Sequence, residues 1–92
     1  MKIKLFATLR PLVGASEVEV DAGPGNTVGE ALAELVQQYP QLRPEIFTAE
    51  GELQDRVHVF INGRDVRYLE GLETRIKEGD ELRIFPPVGG GA

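Results

Sequence analysis

Three consecutive glycines follow a proline pair at the C-terminal end of the sequence, in the run Pro86-Pro87-Val88-Gly89-Gly90-Gly91-Ala92. Glycine has no β-carbon, so a segment of this kind fits a narrow enzyme channel that larger residues would block. The prolines stiffen its base, and the stretch from Pro86 to Gly91 reaches roughly 20 Å when extended. A carboxylate presented in this way is suited to adenylation and then to attack by a nucleophile. The alternative is a frayed terminus without a function.

Three phenylalanines, Phe6, Phe60 and Phe85, fall on the outward positions of predicted strands. A sheet that a helix covers on one side normally has polar residues on its other side. A cluster of three aromatic residues there would form an exposed apolar patch, and such patches mark partner sites. The alternative is that the segment 41–56 folds over this face and buries it.

The remaining candidate residues favour no catalytic or metal site. His58 is the only histidine and shares the outward face, where we interpret it as a surface or interface residue. Without cysteine or a second histidine it is a poor metal ligand, and no serine or cysteine is placed to form a triad with it. We interpret Tyr39 and Tyr68 as packing residues, and the acidic pairs 17/19 and 50/52 as solvated surface.

Composition excludes several classes of protein. The chain has 92 residues and no cysteine, so no side chain can hold sulfur as a persulfide. The net charge of −5 disfavours nucleic-acid binding and suits solubility or a basic protein partner. No apolar run is long enough to span a membrane, and the N-terminal residues lack the pattern of a secretory signal. We therefore expect a cytoplasmic protein.

The spacing of apolar residues predicts one α+β domain. Alternation predicts a hairpin of strands at 2–8 and 16–21, with Arg10-Pro11 ending the first strand. A helix is predicted from Val28 to about Tyr39, preceded by a capping-box spacing. The other predicted strands are 56–62, a short return strand at 65–67 after the turn residues Asn62-Gly63, and 81–85. The segment 41–56 is the least regular, with apolar residues that could close one edge of the core.

The order of these elements and several motifs resemble the MoaD/ThiS family of ubiquitin-like proteins. The sequence is most like the small sulfur-carrier subunit of molybdopterin synthase, and it is also similar to archaeal small ubiquitin-like modifiers. The matching segments are KLFATLR at 4–10, TVGEAL at 27–32, VFINGRDVR at 59–67, LET at 72–74, GDEL at 79–82 and FPPVGGG at 85–91. The resemblance covers nearly the whole chain.

The resemblance implies a β-grasp domain at 1–85 and a flexible glycine-rich tail at 86–92. It implies that the first and last strands are neighbours in the centre of the sheet, with the strand 57–62 next to the last one, which would bring Phe6, Phe60 and Phe85 together. In this family the open face docks on an activating adenylyltransferase and on the large subunit of molybdopterin synthase. The adenylyltransferase uses ATP to adenylate the terminal glycine, which becomes a thiocarboxylate and donates its sulfur. The small subunit binds no cofactor and is not a catalyst alone.

The sequence departs from the family at its end, because family members end on Gly-Gly and here Ala92 follows Gly91. We expect Ala92 to be removed, so that Gly91, preceded by Gly90, becomes the active terminus. Two alternatives remain open: a modifier joined to target lysines through Gly91, and a non-covalent binding module with a vestigial tail. Carriage of sulfur for thiamine is less favoured, since those relatives are generally shorter and lack the segment 41–56.

Overall fold

The computed structural model describes residues 1–87. In these residues the strands form one mixed five-stranded sheet. The strands lie in the order β2-β1-β5-β3-β4, with β1 and β5 parallel at the centre and the other pairs antiparallel. This confirms the expected neighbours of the first and last strands. The strand bounds are β1 Lys2–Leu5, β2 Glu17–Glu19, β3 His58–Ile61, β4 Arg64–Asp65 and β5 Leu82–Phe85.

Helices occupy the connections between these strands. The helix bounds are α1 Leu9–Val13, α2 Val28–Gln38 and α3 Arg43–Ile46, with 3₁₀ turns at Pro40–Leu42, Val66–Tyr68 and Gly71–Glu73. In the described part of the chain, no helix is long and apolar enough to cross a membrane.

One core lies between α2 and the inner face of the sheet. Alternate residues of the central strands, such as Ile3 and Leu5 of β1 and Ile84 of β5, have no exposed surface. The predicted stripe of α2 is buried against them, in the set Val28, Ala31, Leu32, Leu35 and Val36. Because side chains alternate along a strand, burial of these residues sends their neighbours to the open face of the sheet.

The start of α2 forms the predicted capping box. The Thr27 hydroxyl accepts a hydrogen bond from the Glu30 backbone N–H (3.1 Å), and the Glu30 carboxylate accepts one from the Thr27 N–H (2.8 Å). The hydrogen bond from Thr27 and a further one from the Asn26 side chain hold the pKa of Glu30 below its usual value. The helix ends at Gln38, one residue before the predicted end.

The hairpin prediction at Asn62-Gly63 is also confirmed. Both residues have positive φ, 51° and 79°, as a two-residue type I′ connection requires. The return strand is shorter and earlier than predicted: β4 ends at Asp65, whose side chain caps the 3₁₀ turn that follows it by accepting from the Arg67 N–H (2.9 Å).

The predicted first strand was too long, because β1 ends at Leu5. Ala7 has a φ of 51°, which turns the chain out of the sheet and into α1. Pro11 was interpreted as a strand stop, yet it lies at the third position of this helix. Its missing N–H costs nothing there, since the first four N–H groups of a helix have no partner within the helix.

The irregular segment contributes to the core as predicted. Leu42, Ile46 and Phe47 are buried within the main apolar cluster. A single antiparallel bridge joins Phe47 to Leu53 across the exposed turn 49–52. These buried side chains therefore hold the segment 41–56 against the core, and the segment does not cover the open face of the sheet.

Candidate docking face

Phe6, Phe60 and Phe85 form one aromatic cluster on the open side of the sheet, which we call the aromatic face. The rings of Phe6 and Phe85 are stacked, with centroids 4.3 Å apart, and Phe60 meets Phe85 edge-on at 5.4 Å. All three side chains keep part of their surface exposed. The sequence therefore identified the members of the cluster, and the alternative that segment 41–56 buries them is wrong.

Strand register explains why the three rings meet. Across the sheet, Arg83 of β5 lies opposite both Lys4 of β1 and Phe60 of β3, while Phe85 lies opposite His58. These residues alternate with the buried Ile84 and therefore point away from the core. Phe60 and Phe85 thus occupy outward positions of β3 and β5, whereas Phe6, predicted to lie within a strand, directly follows the last residue of β1. The three rings meet on a surface that none of the described helices covers.

His58 borders the aromatic face and is tied to the adjacent strand. Its Nδ1 lies 3.0 Å from the Asp65 carboxylate, and its ring centroid lies 6.4 Å from that of Phe60. Partial burial of Asp65 opposes its ionisation, but hydrogen bonds from the Arg67 N–H and the His58 ring outweigh this, so the pKa of Asp65 lies below its usual value. No group of three potential metal-binding side chains occurs among residues 1–87.

Tyr68 extends the same surface, and our interpretation of it as a packing residue is wrong. The 3₁₀ turn Val66–Tyr68 buries Val66 and leaves Tyr68 88% exposed. Tyr68 lines a groove of about 540 Å³ together with Phe60 and Phe85. The sequence offered one signal for this arrangement, an aspartate at position 65 that can cap a turn and so interrupt strand alternation.

The aromatic face lies next to the origin of the glycine-rich tail. Strand β5 ends at Phe85, after which Pro86 is buried and Pro87 is exposed. Pro87 lines a second groove, of about 580 Å³, with residues of the segment 44–57. The Arg67 guanidinium fixes one wall of this groove by donating to the Val57 carbonyl (2.6 Å) and to that of Gln54.

The other predicted tail residues, Val88, Gly89, Gly90, Gly91 and Ala92, lie outside the described residues. Of the predicted site residues, the structure therefore describes six, which are the three phenylalanines, His58 and the proline pair.

Fold and surface together define a ubiquitin-like β-grasp domain with an open aromatic face. Solved structures of this class superimpose on it closely. The crystal structure of SAMP1 from Haloferax volcanii has a TM-score of 0.85 and 40% identity, covering 97% of this chain and 96% of that one. The crystal structure of the Amycolatopsis orientalis BexX/CysO complex matches with a TM-score of 0.81 and 30% identity, covering 97% of each chain.

Sequence comparison identifies the family. A family model described as the ThiS family matches residues 3–91, and the chain belongs to this family of sulfur carriers and ubiquitin-like modifiers. Small archaeal modifier protein 1 of Haloferax volcanii is 42% identical over 99% of this chain and 100% of its own length. A putative sulfur carrier protein of Archaeoglobus fulgidus is 38% identical, covering 99% and 98%. A molybdopterin synthase sulfur carrier subunit of Chlamydomonas reinhardtii is 26% identical, covering 99% and 98%.

Proposed function

We propose that this protein carries sulfur as a thiocarboxylate on Gly91. In the first step the Gly91 carboxylate attacks the α-phosphate of ATP in a partner adenylyltransferase, which forms an acyl-adenylate and releases pyrophosphate. In the second step a sulfur nucleophile supplied by a partner displaces AMP. A chain terminus is the one place where this chain can hold such sulfur, because the sequence contains no cysteine.

The observation that best supports the proposal is the position of Phe85. This residue belongs to the aromatic face and is also the last residue of β5, directly before the proline pair. A partner that docks on the aromatic face therefore fixes the base of the tail. Holding one reactant in place in this way makes the following step effectively unimolecular. In this proposal His58, Pro86, Pro87, Val88 and Gly89 also contact the partner.

The proposal divides the chain into a docking domain, residues 1–85, and a reactive tail, residues 86–92. It also requires processing after Gly91, so that Ala92 is removed and Gly90-Gly91 becomes the reactive pair. A methyl group beyond Gly91 would occupy the end of a channel that is shaped for glycine.

We further propose that the sulfur is used in molybdopterin synthesis, with the large subunit of molybdopterin synthase as a second partner. The Chlamydomonas relative supports this use, although at 26% identity. A second function, covalent attachment to target lysines through Gly91, is favoured by the 42% identity to an archaeal modifier protein. Both functions require the same activation of the terminus, and they differ in the nucleophile that displaces AMP.

Mass spectrometry of the terminus tests the proposal. The chain ending at Gly91 and the chain with Ala92 should each be incubated with the adenylyltransferase from the same genome, ATP and a sulfide donor. We expect replacement of one oxygen by sulfur on the chain that ends at Gly91 and no change on the chain with Ala92. Lysine-linked adducts in cell extract, without thiocarboxylate, would favour the modifier. Intact partner binding and cellular function after deletion of residues 89–92 would favour a binding module.

A further inference from the structure

A group of cationic side chains borders the aromatic face on its β1 side. Lys4, Arg10 and Arg83 line one concavity of about 400 Å³ together with Phe6, and we call these three cations the basic rim. Register explains two of them, because Lys4 and Arg83 are direct neighbours across the β1–β5 pair. Arg10 comes from the first turn of α1, a helix that the sequence pattern did not predict.

Arg10 is held in place with its charge available. Its Nε donates to the Leu5 carbonyl at 2.9 Å, and its Cζ lies 5.2 Å from the centre of the Phe6 ring. Among residues 1–87, Arg10 takes part in no ion pair. The side chain is therefore oriented before any partner arrives, which lowers the entropy lost when a carboxylate binds to it.

The other two cations share a single carboxylate. Glu81 lies 3.6 Å from the Lys4 ammonium and 3.3 Å from the Arg83 guanidinium. Glu17 of β2 lines the same concavity and lies opposite Lys4, but its carboxylate is paired with Lys2 at 3.8 Å. Three cations thus stand beside two carboxylates at this border of the aromatic face, and one of the two, Glu17, is paired with Lys2 outside the basic rim. The excess of positive charge is local, since the whole chain has a net charge of −5.

We propose that the basic rim selects a partner surface in which carboxylates flank an apolar centre. The apolar centre would cover Phe6, Phe60 and Phe85, and the carboxylates would meet the basic rim. The net charge alone suggests a basic partner, but the charge beside the aromatic face has the opposite sign. This inference rests on the proposed function, and it specifies the chemistry of the surface on the adenylyltransferase that receives this chain.

Charges at the border of an interface act mainly on the rate of association and on its dependence on salt. Arg10→Glu places a carboxylate where the proposal puts carboxylates of the partner, and like charges in contact weaken binding strongly. We expect the Kd to rise by about tenfold or more at low salt. Arg10→Gln, which only removes the charge, should have a smaller effect in the same direction.

The experiment measures Kd for the adenylyltransferase from the same genome at about 50 and 500 mM NaCl, which differ several-fold in screening length. The matched control is Lys77→Glu, which changes the net charge equally and lies in the turn before β5, at the other end of the strand from Phe85. Wild type and Lys77→Glu should bind alike and weaken with salt. Arg10→Glu should bind weakly at low salt and lose most of the salt dependence. Melting temperatures establish that each variant is folded.

The outcomes separate this inference from the proposed function. If wild type is adenylated but Arg10→Glu binds as well as Lys77→Glu, the proposed carrier function is retained and the proposal of an acidic surface on the partner is wrong. Tighter binding by Arg10→Glu would mean that the partner is basic at this border. If wild type is not adenylated at all, the proposed function itself fails, whatever the effect of the charge changes.

Discussion

Replacement of Phe60 by aspartate is the sharpest test of the aromatic face. Phe60 keeps part of its surface exposed and meets Phe85 edge-on at 5.4 Å, outside the main core. Loss of such an aromatic pair costs about 0.5–1.5 kcal/mol beyond the buried area. A small domain has roughly 5–15 kcal/mol of stability. The variant should therefore remain folded, with a lowered midpoint of urea unfolding.

Phe60→Asp should weaken docking far more than it lowers the stability of the fold. Aromatic residues at the centre of an interface typically cost at least about 2 kcal/mol when they are removed, which corresponds to roughly a thirtyfold rise in Kd. A buried carboxylate adds a desolvation penalty to this loss. Binding to the adenylyltransferase can be measured by titration calorimetry, with adenylation of the terminus followed in the same samples.

The matched control is Ala33→Asp. Ala33 is exposed on α2, the helix that packs against the inner face of the sheet. The control introduces the same charge into the same protein, at a cost of about 0.7 kcal/mol or less in helix propensity. If Phe60→Asp binds as tightly as Ala33→Asp while both are folded, the aromatic face is not the docking surface and our reasoning about it is wrong.

Two further predictions concern stability. Thr27→Ala removes the acceptor for the Glu30 N–H (3.1 Å) and should lower the free energy of unfolding by about 1 kcal/mol in urea titrations; an unchanged midpoint would mean that the capping box does not stabilise α2. Because the pKa of Asp65 is lowered in the folded state, its ionisation stabilises the fold above its ordinary pKa of 3.8, and this stabilisation disappears as pH falls through the lowered value. The free energy of unfolding of Asp65→Asn should therefore fall less steeply than that of wild type as the pH is lowered. Identical dependence on pH in the two proteins would contradict this assignment.

Local signals predicted most of the fold. The alternation of β3, the apolar stripe of α2 and the Asn62-Gly63 turn each lie within a few residues, so the sequence was sufficient to identify them. Helix α1 was missed because its five residues are too few to show a helical period and because Pro11 suggested a stop. The short α3 was missed for the same reason of length.

The candidate site was predictable in part. Alternation put the three phenylalanines on outward positions, but their contact depends on which strands are neighbours, and that order came from the resemblance to a family. The exposure of Tyr68 and the position of Arg10 both depend on short helical turns that interrupt the strand pattern. The basic rim is consequently visible only in three dimensions, because it combines residues of β1, α1 and β5.

The central claim is that Gly91 holds the sulfur, and intact-mass measurement of the protein isolated from its own cells tests it most directly. The account predicts molecules that end at Gly91, a fraction of which have one oxygen replaced by sulfur. That fraction should disappear in cells that lack the adenylyltransferase. Protein that always retains Ala92 and never contains the additional sulfur would contradict the account.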